Sequence, residues 1–267
     1  MLSPKQCYNP PMHWIALVAL LGLIAGIGVN YLADVFPYKR RLVVPFCHHC
    51  QAQYSLLNYA VWPRRCENCN HRRSWRALAV EALYLGGAIW LWLSPPPNLG
   101  FALAFILLIY FGIVVLIDLE HRLIMHPVSL AGAVLGLGIG TWLHGIGSTL
   151  LGGAAGFGIM LALYGLGYLF ARGLARLRGE TIDEEALGFG DVNLMGVLGL
   201  ILGWPGVLVG LILAILIGGL VSGIYMIGML ITRRFRAFTA IPYGPFLVAG
   251  ALALLFFRAS LLEYIGP

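Results

Sequence analysis

The sequence predicts an all-α, polytopic membrane helical bundle of about eight segments with a small polar loop domain, and three observations carry that reading. Of the 267 residues, 60% are hydrophobic and only 10% are charged, with a mean hydropathy of +0.87. A soluble globule of this length could not cover itself with so few charges, whereas a chain dissolved in lipid needs no such cover. The apolar residues also fall in long runs, at 14–35, 77–93, 99–117, 128–143, 148–170, 192–204, 207–230 and 243–257. Finally, the charges punctuate these runs, so the net charge of +6 is a topology signal rather than the solvated basic face of a nucleic-acid reader.

Taken in order, residues 1–13 read as a short external N-terminus and 14–35 as the first transmembrane helix. That run is too long for the apolar region of a signal peptide, and no small-residue cleavage site follows it. The runs at 99–117, 148–170 and 207–230 are also long enough to cross about 30 Å of hydrocarbon. Those at 77–93, 128–143 and 243–257 are marginal. The run 192–204 is too short to span alone and is expected to tilt, break or line a protected cavity, ending at Pro205, whose ring and missing N–H stop a helix. Many of the 35 glycines lie inside the runs, where they allow helices close contact. The seven Trp and twelve Tyr suit the headgroup level.

The basic residues set the orientation. Lys39, Arg40, Arg41, Arg64, Arg65, Arg72, Arg73 and Arg76 fall in 36–76. Arg122 follows the third run, Arg172, Arg176 and Arg178 follow the fifth, and Arg233, Arg234 and Arg236 follow the seventh. The alternate connections contain none. Eight passes thus gather fifteen of the seventeen Lys and Arg residues on one face, leaving Lys5 and Arg258 outside it. By the positive-inside rule that face is cytoplasmic and both termini are outside. The organisation expected is a cytoplasmic loop domain at 36–76, a membrane-embedded core at 77–257, and a short external C-terminus at 258–267.

Four of the five cysteines, Cys47, Cys50, Cys66 and Cys69, form the pairs CHHC and CENC, fifteen residues apart. In a reducing cytosol this spacing points to a structural Zn2+ held by four thiolates, which leaves no open position for a reactive water. His48, His49 and His71 are nearby, but the four sulfurs already complete a shell. Cys7 is external and without a partner.

Two acids stand close to the hydrocarbon. Asp118 ends the third run, in GIVVLIDLEHRLIMHP, and Asp191 opens the sixth, in LGFGDVNLMGVLG. Gly188 and Gly190 permit close backbone approach and unusual dihedrals beside Asp191. Both acids belong to the basic face. If they meet, they share a proton and hold a water, one carboxyl acting as base and the other as acid. Helix capping or an ion relay are the alternatives that the residues leave open.

From the cysteine loop through IDLEHRLI and GFGDVNLMGVLGLILGW to IPYGPFLVAG, the chain resembles the type IV prepilin peptidases, GxGD-type membrane aspartyl peptidases. The resemblance implies that Asp118 and Asp191 are the catalytic pair. It implies cleavage at the cytoplasmic membrane face of a prepilin or pseudopilin, between its basic leader and its hydrophobic N-terminal helix, in a bacterial inner membrane. Glu81 matches an acidic position of the family and either orients the cysteine loop or pairs with an arginine. Asn30 matches a first-helix asparagine for which buried hydrogen bonding suffices. Asp34, Glu120 and His121 either position substrate or face water, and Pro242 and Pro245 shape the start of the last helix.

The sequence departs from the family in three places. Asn193 replaces a lysine, and Pro127 follows Met125 and His126 later than the family's proline does. Between Cys50 and Cys66, QAQYSLLNYAVWPRR replaces a longer stretch with a WYDN-like segment. Many relatives methylate the new N-terminus with S-adenosylmethionine, and this shortening leaves that second activity open. The rival readings are an intramembrane protease with other membrane-protein substrates and a non-enzymatic transport or assembly protein.

Overall fold

A computed structural model describes residues 12–60, 64–178, 188–232 and 242–265. The N-terminal residues with Lys5 and Cys7, and the group Arg233, Arg234 and Arg236, lie outside the described residues.

Among the described residues the chain is helical apart from its connections and the cysteine loop. The helices are α1 (Met12–Lys39), α2 (Leu56–Ala60), α3 (Trp75–Leu93), α4 (Gly100–His121), α5 (His126–His144), α6 (Ile146–Arg178), α7 (Phe189–Leu202), α8 (Gly206–Ile231) and α9 (Gly244–Ile265). Each apolar run coincides with one helix, and the short α2 lies in the loop. Six helices are long and apolar enough to cross a membrane; Phe189–Leu202 and Gly244–Phe257 are shorter apolar segments. The runs at 77–93 and 128–143 gain their length from flanking residues, as α3 starts at Trp75 behind a Ser74 cap and α5 starts at His126.

Three ends differ from expectation for local reasons. α1 continues through Pro37 to Lys39, where a cation in the last turn suits the helix dipole. α6 continues to Arg178, so Arg172, Arg176 and Arg178 extend a helix rather than occupy a loop. α7 is ended by Gly203 rather than Pro205. Gly203 takes φ +66° and donates its N–H to the Gly199 carbonyl at 2.9 Å, while Pro205 caps α8.

The chain divides into two compact units, Met1–Ile113 and Val114–Pro267. In the first, α1 packs on α3 through Gly22 and Gly26, a small-xxx-small pair. A Cβ on Gly22 would lie 2.6 Å from the Tyr84 carbonyl oxygen, and one on Gly26 would lie 2.8 Å from the Glu81 Cα. Lipid tails are as apolar as the side chains, so this close backbone packing, rather than escape from water, holds such helices together.

In the second unit α7 is enclosed by α5 and α6. A Cβ on Gly152 would sit 2.4 Å from the Gly199 carbonyl oxygen, and one on Gly140 would sit 2.0 Å from that of Leu200. Leu194, Met195, Leu198 and Ile201 of α7 are fully buried. A helix too short to span is therefore surrounded by protein, as a protected segment requires.

Candidate metal site and candidate catalytic acids

The cysteine loop is built from one turn used twice. The N–H of Gln51 donates to the Cys47 carbonyl at 2.8 Å, and the N–H of Asn70 donates to the Cys66 carbonyl at 2.9 Å. Gln51 and Asn70, each four residues past the first cysteine of its pair, take φ of 62° and 54°. These turns aim four sulfurs at one point. Cys47 and Cys69 are 3.7 Å apart, Cys50 and Cys66 are 3.5 Å apart, and all four ligand atoms lie within 4.8 Å of one another. A disulfide needs about 2.05 Å, whereas a tetrahedron with metal–sulfur bonds of about 2.3 Å has edges of about 3.8 Å. The cluster is therefore capable of holding a metal ion.

The thiols are unequal. Burial opposes ionisation of Cys47, but hydrogen bonds from the backbone N–H groups of Cys50 and His49 bring it down to about 6. The N–H of Ala52 lowers Cys50. His71 gives Cys69 similar help, yet desolvation and the thiols of Cys50, Cys66 and Cys47 push it up to about 12. A divalent cation supplies the charge that lets all four ionise together.

Two acids anchor this loop to the helices of the first unit. Asp34 of α1 accepts from Arg73 at 2.9 Å, from the Tyr59 hydroxyl at 2.7 Å, and from Arg76. The Arg73 guanidinium also lies 3.7 Å from the Tyr59 ring centroid and donates to the Tyr59 carbonyl at 2.8 Å. Glu81 of α3 pairs with Arg64 at 2.6 Å, and Asn30, fully buried, donates to the Ala77 carbonyl at 2.9 Å. Both expectations for Glu81 hold together, since its arginine belongs to the loop. Asp34 joins an ion network instead of facing water. Glu120 is exposed.

Asp118 and Asp191 are placed otherwise. They are 5% and 9% exposed, and with Glu81 they are the buried acids among the described residues. Neither forms an ion pair there. Asp118 lies in the last turn of α4, its carboxyl against Gly244, the first residue of α9. The Gly244 N–H lies beside that carboxyl short of a well-formed bond, and Oδ2 has no hydrogen-bond partner among the described residues.

Asp191 lies in the first turn of α7, where the helix dipole favours a carboxylate, and its Oδ2 accepts the Gly188 N–H at 3.2 Å. The charge of Asp118 is felt at Asp191. The two glycines before Asp191 do different work. Gly188 has φ −80°, open to any residue. Gly190 is required by space, because a Cβ there would meet the Ile124 Cβ at 2.9 Å, where the segment leaving α4 crosses the start of α7. An open, mostly apolar groove of about 690 Å³ lies between α5, α6 and α7, bordered by His126, Ser129, Phe157, Asn193 and Leu200.

Fold and site together define a multi-pass membrane protein with a four-cysteine cluster capable of holding a metal ion and two buried acids that form no ion pair among the described residues. The profile of the type IV leader peptidase family matches residues 102–223, a segment containing both Asp118 and Asp191. A type 4 prepilin-like proteins leader peptide-processing enzyme of Escherichia coli O78:H11 (strain H10407 / ETEC) is 30% identical over 226 residues, covering 80% of this chain and 75% of the relative. Prepilin leader peptidase/N-methyltransferases of Aeromonas hydrophila and Burkholderia pseudomallei (strain 1026b) are 27% and 28% identical, covering 83% and 95% of this chain and 74% and 79% of their own. The chain belongs to the type IV leader peptidase family. No solved structure matches it.

Proposed function

We propose that this protein is a membrane aspartyl endopeptidase that removes the leader from type IV prepilins or pseudopilins, with Asp118 and Asp191 as its catalytic pair. The observation that carries the reading is the burial, in one compact unit, of two acids that form no ion pair among the described residues and interact through their charges. Burying such groups is costly, and acids kept buried without a paired cation cluster at functional sites.

In the reaction, one carboxylate takes a proton from water as the water attacks the scissile carbonyl. The other, protonated, gives its proton to the carbonyl oxygen. Collapse of the tetrahedral intermediate returns a proton to the leaving amine and resets the pair. The pair titrates as a unit. Activity therefore falls at low pH, when both carboxyls are protonated and no base is left, and at high pH, when both ionise and no acid is left.

The substrate's apolar stem lies in the bilayer and its basic leader stays at the cytoplasmic surface, to which the positive-inside pattern assigns the cysteine loop and both acids. The metal we propose at Cys47, Cys50, Cys66 and Cys69 is Zn2+, the ion that a four-thiolate set favours, and its role is to fold the loop. The enzyme works in the bacterial inner membrane.

Purified protein, mixed with a precursor pilin, is expected to release a product whose new N-terminus begins at the leader–stem junction. Asp118→Asn and Asp191→Asn are each expected to abolish the cut, and retained cleavage in either contradicts the assignment. Weighing the product with and without S-adenosylmethionine decides whether this chain also methylates, as the names of several relatives state for them.

A further inference from the structure

We propose that Gly244 is a positioning residue whose missing side chain forms the seat of the Asp118 carboxyl. A Cβ built on Gly244 would lie 2.5 Å from Asp118 Oδ2 and 3.1 Å from Cγ. Real Cβ atoms do not approach oxygen so closely, so even alanine forces the carboxyl or the start of α9 to move. Gly244 is buried, and Oδ2 is a buried oxygen with no hydrogen-bond partner among the described residues. The carboxyl is thus held on this side by shape and by the first turn of a helix, which attracts negative charge, rather than by a side-chain donor. An acid seated in this way keeps its direction without an ion pair that would pin it as a permanent carboxylate. Gly219 and Gly228 of α8 have open space around them, so a substitution there controls for the loss of a glycine alone. This inference rests on Asp118 being catalytic, and its test is chosen to fail separately.

Cleavage of a precursor pilin should be measured for the wild type, Gly244→Ala and Gly219→Ala, with thermal unfolding of each. Displacing a reacting group by about 1 Å costs on the order of 100-fold. Gly244→Ala is expected to lower kcat by about that factor with little change in KM and to shift the pH profile, while Gly219→Ala behaves as wild type. If Gly244→Ala also lowers Tm, the same substitution in an Asp118→Ala background should not, because the carboxyl it strikes is gone. Wild-type kcat and pH profile in Gly244→Ala, or an equal fall in Tm with and without the Asp118 side chain, would overturn the inference. Cleavage by Asp118→Asn would instead overturn the catalytic pair and leave the stability coupling between 118 and 244 to be read on its own.

Discussion

The acids of the first unit and those of the second are held on opposite terms. Asp34 and Glu81 are met by Arg73, Arg76 and Arg64, with Tyr59 adding a hydroxyl. Asp118 and Asp191 are buried like Glu81 but form no ion pair among the described residues; backbone lies against their carboxyls, Gly244 for one and Gly188 for the other, and Arg122 reaches Asp118 only through its charge. An acid paired with a guanidinium is fixed as an anion and serves to dock one segment on another. An acid left with backbone and a like-charged neighbour can exchange a proton. The contrast separates the acids that hold the cysteine loop from the pair proposed for the chemistry, although all four lie on apolar helices.

Substitutions that treat the two sets alike should sharpen this contrast, and the largest effect is expected in the second. Asp191→Asn should lower cleavage by at least about 1,000-fold, as loss of a general acid or base does at the upper range, while Tm does not fall, because a buried charge without a cation has been removed. A fall in Tm comparable to that of Glu81→Gln would erase the distinction.

Next in size, Arg64→Ala leaves Glu81 buried without its partner and should cost about 3–5 kcal/mol by denaturant or thermal unfolding. Joint replacement of Arg64 and Glu81 by Met and Leu should recover most of that loss. Cys66→Ser, or a chelator that strips the metal, should release the loop and lower Tm, with metal content measured alongside. If the stripped protein melted as before, the loop would owe its fold to the Asp34 and Glu81 clamps alone. Smallest, Tyr59→Phe removes one hydroxyl from the Asp34 network and should cost about 1 kcal/mol, with kcat unchanged.

Much of this was legible in the sequence because local pattern decides it. Apolar runs produce helices wherever they occur, so all eight coincide with helices, and the two CxxC pairs bring their sulfurs together through turns that each pair forms by itself. Helix ends were read less well. Periodic hydrophobicity stops at residue 170, but the arginine-bearing segment to Arg178 has no reason to leave a helix already started. The end of α7 depends on Gly203, whose positive φ is invisible among so many glycines, and Pro205 drew attention because prolines are conspicuous.

What the sequence hid were the long-range partners. Nothing near Asp34 announces that Arg73 and Arg76, some forty residues on, will reach it. Nothing in IPYGPF says that its glycine, rather than its prolines, lies against Asp118. Nor was it legible which of the many glycines mark a contact: Gly22 and Gly26 do so between α1 and α3.

The central claim is that Asp118 and Asp191 act as one unit, and a double-variant cycle on cleavage tests it most directly. Groups that share one proton cannot lose the same function twice. The rate of the Asp118→Asn, Asp191→Asn double variant should therefore equal that of either single variant, at the background of the assay. Measurable cleavage in a single variant, with a further loss in the double, would mean that the two acids work independently, and the account would be wrong.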